Sequence, residues 1–438
     1  MMLLDLLASI ADRGRDYLAS AGQLGGERSI GRLCADLMSH RGEATGTALA
    51  REVTSAWAAL DEAGQAAFFA LLARDYAPDA AALEEAARAY AADPGERTLA
   101  RLARAVEPPR QELIRRINMA PGGTATIVAM RKALGGLVGT RVELRAVDAD
   151  FQHLLSSWFN RGFLELRRVN WDTPASVLEK LIAYEAVHAI AGWDDLRRRL
   201  APDRRCFAFF HPAMPDEPLI FVEVALTHAI SDNVADILAE GVDAKAASAP
   251  SAAIFYSISN CQEGLRGISF GNFLIKQVVE ELSAEMPSLR SFATLSPIPG
   301  LVAFLREEAS RGAAGEGALV EPGEAARLLE AIAEPGWPDD RERCEALRAP
   351  LSRAAARYLA EARRGNLPRD PVARFHLGNG ARLERLNWLA DRSPKGLRES
   401  AGLMVNYVYR LSEIERNHEA LVGEGRIIAS RRIRTLAA

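Results

Sequence analysis

The sequence predicts an α+β protein: an all-α helical bundle over residues 1–157, followed by an α/β domain over residues 158–438. Three observations carry this. As far as about residue 157, apolar residues recur at three and four spacing in segments divided by Pro and Gly. Beyond residue 158, runs rich in aromatic and β-branched residues appear. Between the last two of those runs, a glycine loop opens a helix.

In the first region the spacing predicts helices near 54–74, 80–92, 97–106, 109–119 and 124–134. They are separated by Pro78, Asp93-Pro94-Gly95, Pro108-Pro109 and Pro121-Gly122-Gly123. Such short connections suit antiparallel packing. The region holds no His, Cys and carboxylate constellation at ligand spacing, so its expected role is packing or assembly. Past residue 158, Leu219–Leu226 (LIFVEVAL) is an apolar run broken only by Glu223, the signature of a sheet interior. SAAIFYSIS (251–259) and SFATLS (291–296) predict two further strands. The helix expected between them runs from about Asn272 to Ala284, with Leu274, Ile275, Val278, Val279 and Leu282 on one face and Pro287 beyond its end. Residues 301–364 return to helical spacing, interrupted by loops at 311–318 and 334–340. The final 75 residues contain FHLGNG and NYVYR, apolar-polar alternations that predict short strands.

Composition excludes several classes. The chain of 438 residues carries 54 Lys+Arg against 58 Asp+Glu, with 49% apolar and 26% charged residues, which is ordinary globular usage. No run of 18 apolar residues exists to form a spanning helix, and the opening segment MMLLDLLASIADRGR carries Asp5 and Asp12 where a signal peptide would be apolar. The expected location is cytoplasmic. The four cysteines, Cys34, Cys206, Cys261 and Cys344, make no C-x-x-C pair, and none of the seven histidines stands in an H-x-x-H arrangement, so no metal is expected. The basic residues are 49 Arg to 5 Lys, but they interleave with acids at helical spacing. Only the tail GRIIASRRIRTLAA has a local basic surplus, so neither nucleic acid nor membrane is an expected partner.

Three places can hold chemistry. Gly264, Gly267 and Gly271 lead into a helix N-terminus, where free N–H groups and the helix dipole suit an anion such as a pyrophosphate. The pattern is neither G-x-G-x-x-G nor a P-loop, and a tight turn would use the same residues. A strand, an Arg/Gln-Gly-x-x-x-Gly loop and a helix in succession resemble the pyrophosphate-binding arrangement of GNAT acyltransferases. Lys276, one turn into the helix, reads as a solvated position. In TLSPIPG, Pro297 biases Ser296 towards extended backbone at a strand end, and Pro299-Gly300 turns the chain away. There is no G-x-S-x-G elbow. In DPVARFHLGNG, His376 precedes a Gly-Asn-Gly turn and is expected at the mouth of a sheet, where an imidazole can pass protons.

At these residues the sequence resembles the malonyl-CoA decarboxylase family. The matching stretches are HPAMPDEPLIFVEVALT (211–227), AAIFYSISNCQEGLRGISFGNFLIKQVVEEL (252–282), FATLSPIPG (292–300), DPVARFH (370–376) and NWLADRSPKGLRESAGLMVNY (387–407), in the family's order. MAPGGTATIVAMR is a weaker match in the first half. The resemblance implies a GNAT-like acyl-CoA-binding domain that decarboxylates malonyl-CoA to acetyl-CoA, no cofactor beyond the coenzyme A of the substrate, and a homo-oligomer, a dimer or tetramer, built through the helical domain. It implies Ser296 and His376 as the catalytic pair. Arg266, Gly267, Ile268, Ser269, Phe270, Gly271 and Asn272 become the coenzyme A loop, with Tyr409 and Ser393 as supporting residues. Animal members carry a glutamate where this chain has Ser269. Two other functions fit a fold of this kind, an acyl-CoA-dependent acyltransferase and a non-catalytic acyl-CoA-binding regulator.

Overall fold

A computed structural model of the chain describes residues 29–39, 42–239, 241, 248–268, 270, 274–311 and 317–438. They fall into two compact units. One takes in the described residues up to Leu164 together with His211–Pro215 and Gln262–Phe270. The other takes in Glu165–Phe210, Asp216–Cys261 and the described residues from there to Ala438. Among the described residues, no helix is long and apolar enough to cross a membrane.

The first unit is helical: α1 Ile30–Met38, α2 Glu43–Ala58, α3 Glu62–Asp75, α4 Ala80–Ala92, α5 Glu96–Val106, α6 Pro109–Ile117, α7 Gly123–Gly135 and α8 Arg145–Trp158. The single helix expected over 54–74 is two. Asp61 caps α3 by accepting from the Gly64 N–H at 2.8 Å, so α2 ends at the preceding turn. The core is aromatic: Trp57 lies 5.2 Å from Phe68 and 5.3 Å from Phe69, ring centre to ring centre, and Phe69 meets the edge of Phe151 at 6.5 Å. Inside it, Arg110 and Gln111 both donate to the Asp150 carboxylate. In contrast, α5 buries none of its residues, and Leu99 and Val106 are about half exposed.

The second unit is built on a mixed sheet. Its elements in order are β1 Glu165–Val169, α9 Ala175–Tyr184, α10 Trp193–Arg199, β2 Arg204–Phe210, β3 Ile220–Thr227, α11 Val234–Leu238, β4 Ala252–Asn260, α12 Leu274–Glu285, β5 Ser291–Thr294, β6 Ser296–Pro297, α13 Leu301–Ser310, α14 Pro322–Ala333, α15 Arg341–Ala360, β7 Arg363–Arg364, β8 Leu367–Pro368, α16 Pro371–Gly378, β9 Arg382–Asn387, α17 Pro394–Ser400, β10 Met404–Tyr409, α18 Ile414–Glu424 and α19 Arg431–Ala437. The sheet order is β1-β2-β3-β4-β5-β10-β6, with β9 also paired to β10 and β7-β8 a separate hairpin. The three predicted strands are β3, β4 and β5, and NYVYR forms most of β10. One face of the sheet is covered in two apolar patches. Val177, Leu178, Leu181 and Leu196 pack on Cys206, Ala208, Phe210 and Phe221, while Val234 and Ile237 pack on Ala225, Ile254, Tyr256 and Ala293.

A further expectation is overturned. The segment containing His376 is the helix α16 and not a strand at the sheet mouth. Asp370 accepts from the N–H groups of Val372 at 3.0 Å and Ala373 at 2.8 Å, and Pro371 occupies the first helical position. The alternation in FHLGNG is instead one helical turn that ends at a glycine corner, where Gly380 has φ of +80°.

Candidate active site

The site begins with a break in pairing. β4 and β5 run parallel only from Ala252↔Ser291 to Phe255↔Thr294. After Leu295 donates to the Phe255 carbonyl at 2.9 Å, the second strand parts from β4, while Ser296 and Pro297 stay paired with β10 as Phe292 and Ala293 are. Residues Tyr256–Asn260 therefore continue without that neighbour. The gap is a cavity of about 230 Å³, lined by Phe255–Ile258 and Asn260 on β4, by Ser296 and Pro297, by Val187, and by Pro371, Val372, Phe375 and His376 of α16. Its walls are mostly apolar.

Here Ser296 and His376, eighty residues apart, meet. Ser296 Oγ lies 3.1 Å from His376 Nε2, and the Ser296 hydroxyl donates to Thr294 Oγ1 at 2.9 Å. On the other side of the ring, His376 Nδ1 is 2.8 Å from the Tyr409 hydroxyl. Tyr407 stacks on the imidazole with ring centres 4.8 Å apart. All four residues of the chain Thr294, Ser296, His376 and Tyr409 are buried. Burial disfavours the imidazolium and pushes His376 down to about 3, so the ring is neutral at physiological pH. The same burial holds the Tyr409 phenol well above its ordinary range.

The structure adds supports that the sequence reading passes over. Asn406, fully buried, donates to the carbonyls of Thr294 at 2.7 Å and Ser231 at 3.1 Å, and accepts from Asn387 at 2.9 Å and Arg385 at 3.0 Å. It sits at the irregularity in β10 that re-aims Tyr407. Glu185 accepts from Ser257 Oγ at 2.7 Å and from the N–H groups of Val187 at 2.9 Å and His188 at 2.7 Å, which fixes the Val187 wall against β4. Asn406 lay inside a quoted motif, but nothing in the sequence joins Glu185 to Ser257. The Asp370-Pro371 pair is a readable helix start.

The glycine loop is placed in part. Ser269, Gly271 and Asn272 lie outside the described residues. Among the rest, Arg131 of α7 donates from Nη1 to the carbonyls of Gly264 at 2.9 Å and Arg266 at 2.8 Å, and Gly267 takes φ of +80°. Gly264 packs so tightly that an added Cβ would lie 2.0 Å from the Val128 carbonyl oxygen. Arg131 closes the segment MAPGGTATIVAMR, whose purpose the spacing did not reveal. Ile268 donates its N–H to the Leu265 carbonyl at 3.0 Å, and Phe270 is buried or nearly so. Lys276 is not merely solvated, since it pairs with Glu415 at 2.8 Å. Ser393 caps α17, accepting from the Gly396 N–H at 3.0 Å, and lines a different cavity, with His188 and Lys395.

Comparison with known proteins adds the following. A family profile described as malonyl-CoA decarboxylase C-terminal domain matches residues 162–438, and one described as malonyl-CoA decarboxylase N-terminal domain matches residues 76–159. The mitochondrial malonyl-CoA decarboxylase of Anser anser anser is 38% identical over 341 residues, covering 73% of this chain and 68% of its own. That of Mus musculus, also named mitochondrial, is 39% identical over 350 residues, covering 74% of this chain and 70% of its own. The crystal structure of malonyl-CoA decarboxylase from Rhodopseudomonas palustris is 50% identical, with a TM-score of 0.88 over 94% of this chain and 100% of that one. The one from Cupriavidus metallidurans is 36% identical, with a TM-score of 0.71 over 93% of this chain and 98% of that one.

Proposed function

This chain belongs to the malonyl-CoA decarboxylase family, and from that premise we propose that it is a carboxy-lyase converting malonyl-CoA to acetyl-CoA and carbon dioxide, with Ser296 and His376 as the reacting pair. The observation that carries this reading is the 3.1 Å contact between them at the wall of a mostly apolar cavity.

When the bond to the carboxylate breaks, its electron pair passes into an enolate delocalised onto the thioester oxygen, and carbon dioxide leaves. Val187, Phe255, Ile258, Val372 and Phe375 make a surrounding that suits neutral carbon dioxide better than a carboxylate, which favours this step. The enolate carbon then takes a proton. A thioester enolate is a stronger base than an alkoxide, so a neutral Ser296 hydroxyl, steadied by the neutral imidazole, is acid enough. Proton delivery of this kind contributes roughly 100- to 10,000-fold. Each turnover draws one proton from solvent, and the coenzyme A involved arrives as part of the substrate.

Arg266, Gly267, Ile268, Ser269, Phe270, Gly271 and Asn272 are assigned to coenzyme A, and Tyr409 supports the pair through His376 Nδ1. Residues 1–157 serve assembly into a dimer or tetramer. The support for this is α5, which buries nothing and leaves Leu99 and Val106 exposed. The location that goes with this reading is the cytosol, checked by fractionation. For the reaction, purified protein is incubated with malonyl-CoA without added metal or acceptor, and acetyl-CoA is followed. Ser296→Ala and His376→Asn should each abolish carbon dioxide release while coenzyme A binding persists. Normal turnover in either variant refutes the pair.

A further inference from the structure

Thr294 has no role in the reading above, yet it ends the hydrogen-bonded chain at the site. Its hydroxyl is fully buried on β5, and Oγ1 is held by the Tyr407 N–H at 3.1 Å, so its orientation is set by the backbone of β10. The Ser296 hydroxyl donates to it at 2.9 Å. A serine has a single hydroxyl proton. If that proton goes to Thr294, the 3.1 Å contact between Ser296 and His376 must run the other way, with Nε2–H donating to Ser296 Oγ.

The far end of the chain agrees. A neutral imidazole with its proton on Nε2 has a bare Nδ1, which accepts. The partner there is the Tyr409 hydroxyl at 2.8 Å, a group that can donate. The reversed arrangement would put the proton on Nδ1 and turn the Ser296 proton to Nε2, against the hydrogen bond that Ser296 makes to Thr294. With Ser296 donating to Thr294, the chain runs from Tyr409 to His376, from His376 to Ser296 and from Ser296 to Thr294.

We propose that Thr294 is a positioning residue that accepts the hydrogen bond of the Ser296 hydroxyl in the resting site and thereby sets the Ser296/His376 pair to give the serine proton to the enolate and not to act as a nucleophile and its base. With Nε2 protonated, His376 cannot remove the Ser296 proton, so the hydroxyl does not attack the thioester. The same Nε2–H stabilises the oxygen after it has protonated the enolate carbon. A Ser/His pair beside an acyl thioester would otherwise be arranged for hydrolysis. Here its polarity is inverted, and the residue that inverts it lies two positions before the serine.

The inference rests on the decarboxylase reading for its purpose, but its central claim is tested without turnover. In the full-length protein labelled with 15N-histidine, nitrogen-detected NMR should show His376, identified by its absence in His376→Asn, as the Nε2-protonated tautomer. An Nδ1-protonated ring overturns the inference even if decarboxylation is normal. Failure of Ser296→Ala to affect turnover would instead overturn the underlying reading and leave the tautomer result standing.

A kinetic test follows. Thr294→Val keeps the shape and removes the acceptor, and should lower kcat about 10-fold, the loss expected of one hydrogen bond, with KM within about twofold. Thr294→Ser keeps the hydroxyl and should restore kcat. Full activity in Thr294→Val, or equal loss in Thr294→Ser, overturns the role. If Thr294→Val does not fold, because the Tyr407 N–H is stranded, Thr294→Ser and the wild-type tautomer still decide.

Discussion

Lowering the pH should weaken the wild-type fold relative to a His376→Asn variant. Burial pushes His376 down to about 3, whereas the unfolded chain titrates near about 6.5. Between these values the unfolded state binds a proton that the folded state refuses, so unfolding becomes easier as pH falls. The sign follows from a base whose folded pKa is depressed. The contribution is intact above about 6.5, is lost progressively below it, and stops changing below about 3. From pH 7 to pH 5 the loss spans about 1.5 pH units at about 1.36 kcal/mol each, or about 2 kcal/mol. Asparagine at this position does not titrate, and other groups, including His188, which burial also depresses, are common to both chains and cancel. The assay is urea unfolding of both proteins at each pH. The destabilisation caused by His376→Asn at pH 7 should shrink by about 2 kcal/mol at pH 5. A gap that stays constant would mean that His376 titrates alike in both states. A gap that widens would mean that the folded protein holds an imidazolium. The first result denies the shift that burial imposes, and the second removes the neutral ring on which the proposed chemistry depends.

Three other outcomes are expected. Asp370→Ala removes the cap of α16, which should cost about 1–2 kcal/mol of stability in thermal unfolding and lower kcat by loosening His376; unchanged values would deny the cap its part. Gly264→Ala places a Cβ 2.0 Å from the Val128 carbonyl, so about 1–3 kcal/mol should be lost and KM for malonyl-CoA should rise as the adjoining loop shifts, both read from one preparation. Leu99→Glu with Val106→Glu changes two side chains that are 51% and 53% exposed. The variant should keep its circular dichroism but fall in mass by light scattering, and an unchanged mass would move the assembly surface elsewhere.

The strands that were legible in the sequence are those buried on both faces. β3 and β4 announce themselves as apolar runs because helices and neighbouring strands leave them almost no exposed residue. β1 was not legible: Arg167 and Arg168 are exposed on an edge strand, and only pairing to β2 makes Glu165–Val169 extended. β2, with Cys206–Phe210 as an apolar run, could have been recognised by the same rule as β3. His376 was found for the right residue type but on the wrong element, because the alternation after it outweighed Asp370-Pro371 before it. The rest of the site depends on tertiary distance. Thr294 matters only because β10 brings Tyr407 to it, and Glu185 only because it reaches Ser257 from 72 positions away.

The path of the chain between the two units bears on how the protein is made. The helical unit is not finished at Leu164, since it also needs His211–Pro215 and Gln262–Phe270. A ribosome therefore releases β1 through β4 before the last piece of the helical unit exists, and Gly264 reaches its place beside Val128 only after more than a hundred intervening residues have emerged. Contacts that close over such separations are slow to form. Early helices must wait with their seat for the loop open, while strands already synthesised wait for β5 and β10. Folding should then be a late event shared by both units. A nascent chain arrested before residue 262 should be protease-sensitive in its helices as well as in its strands.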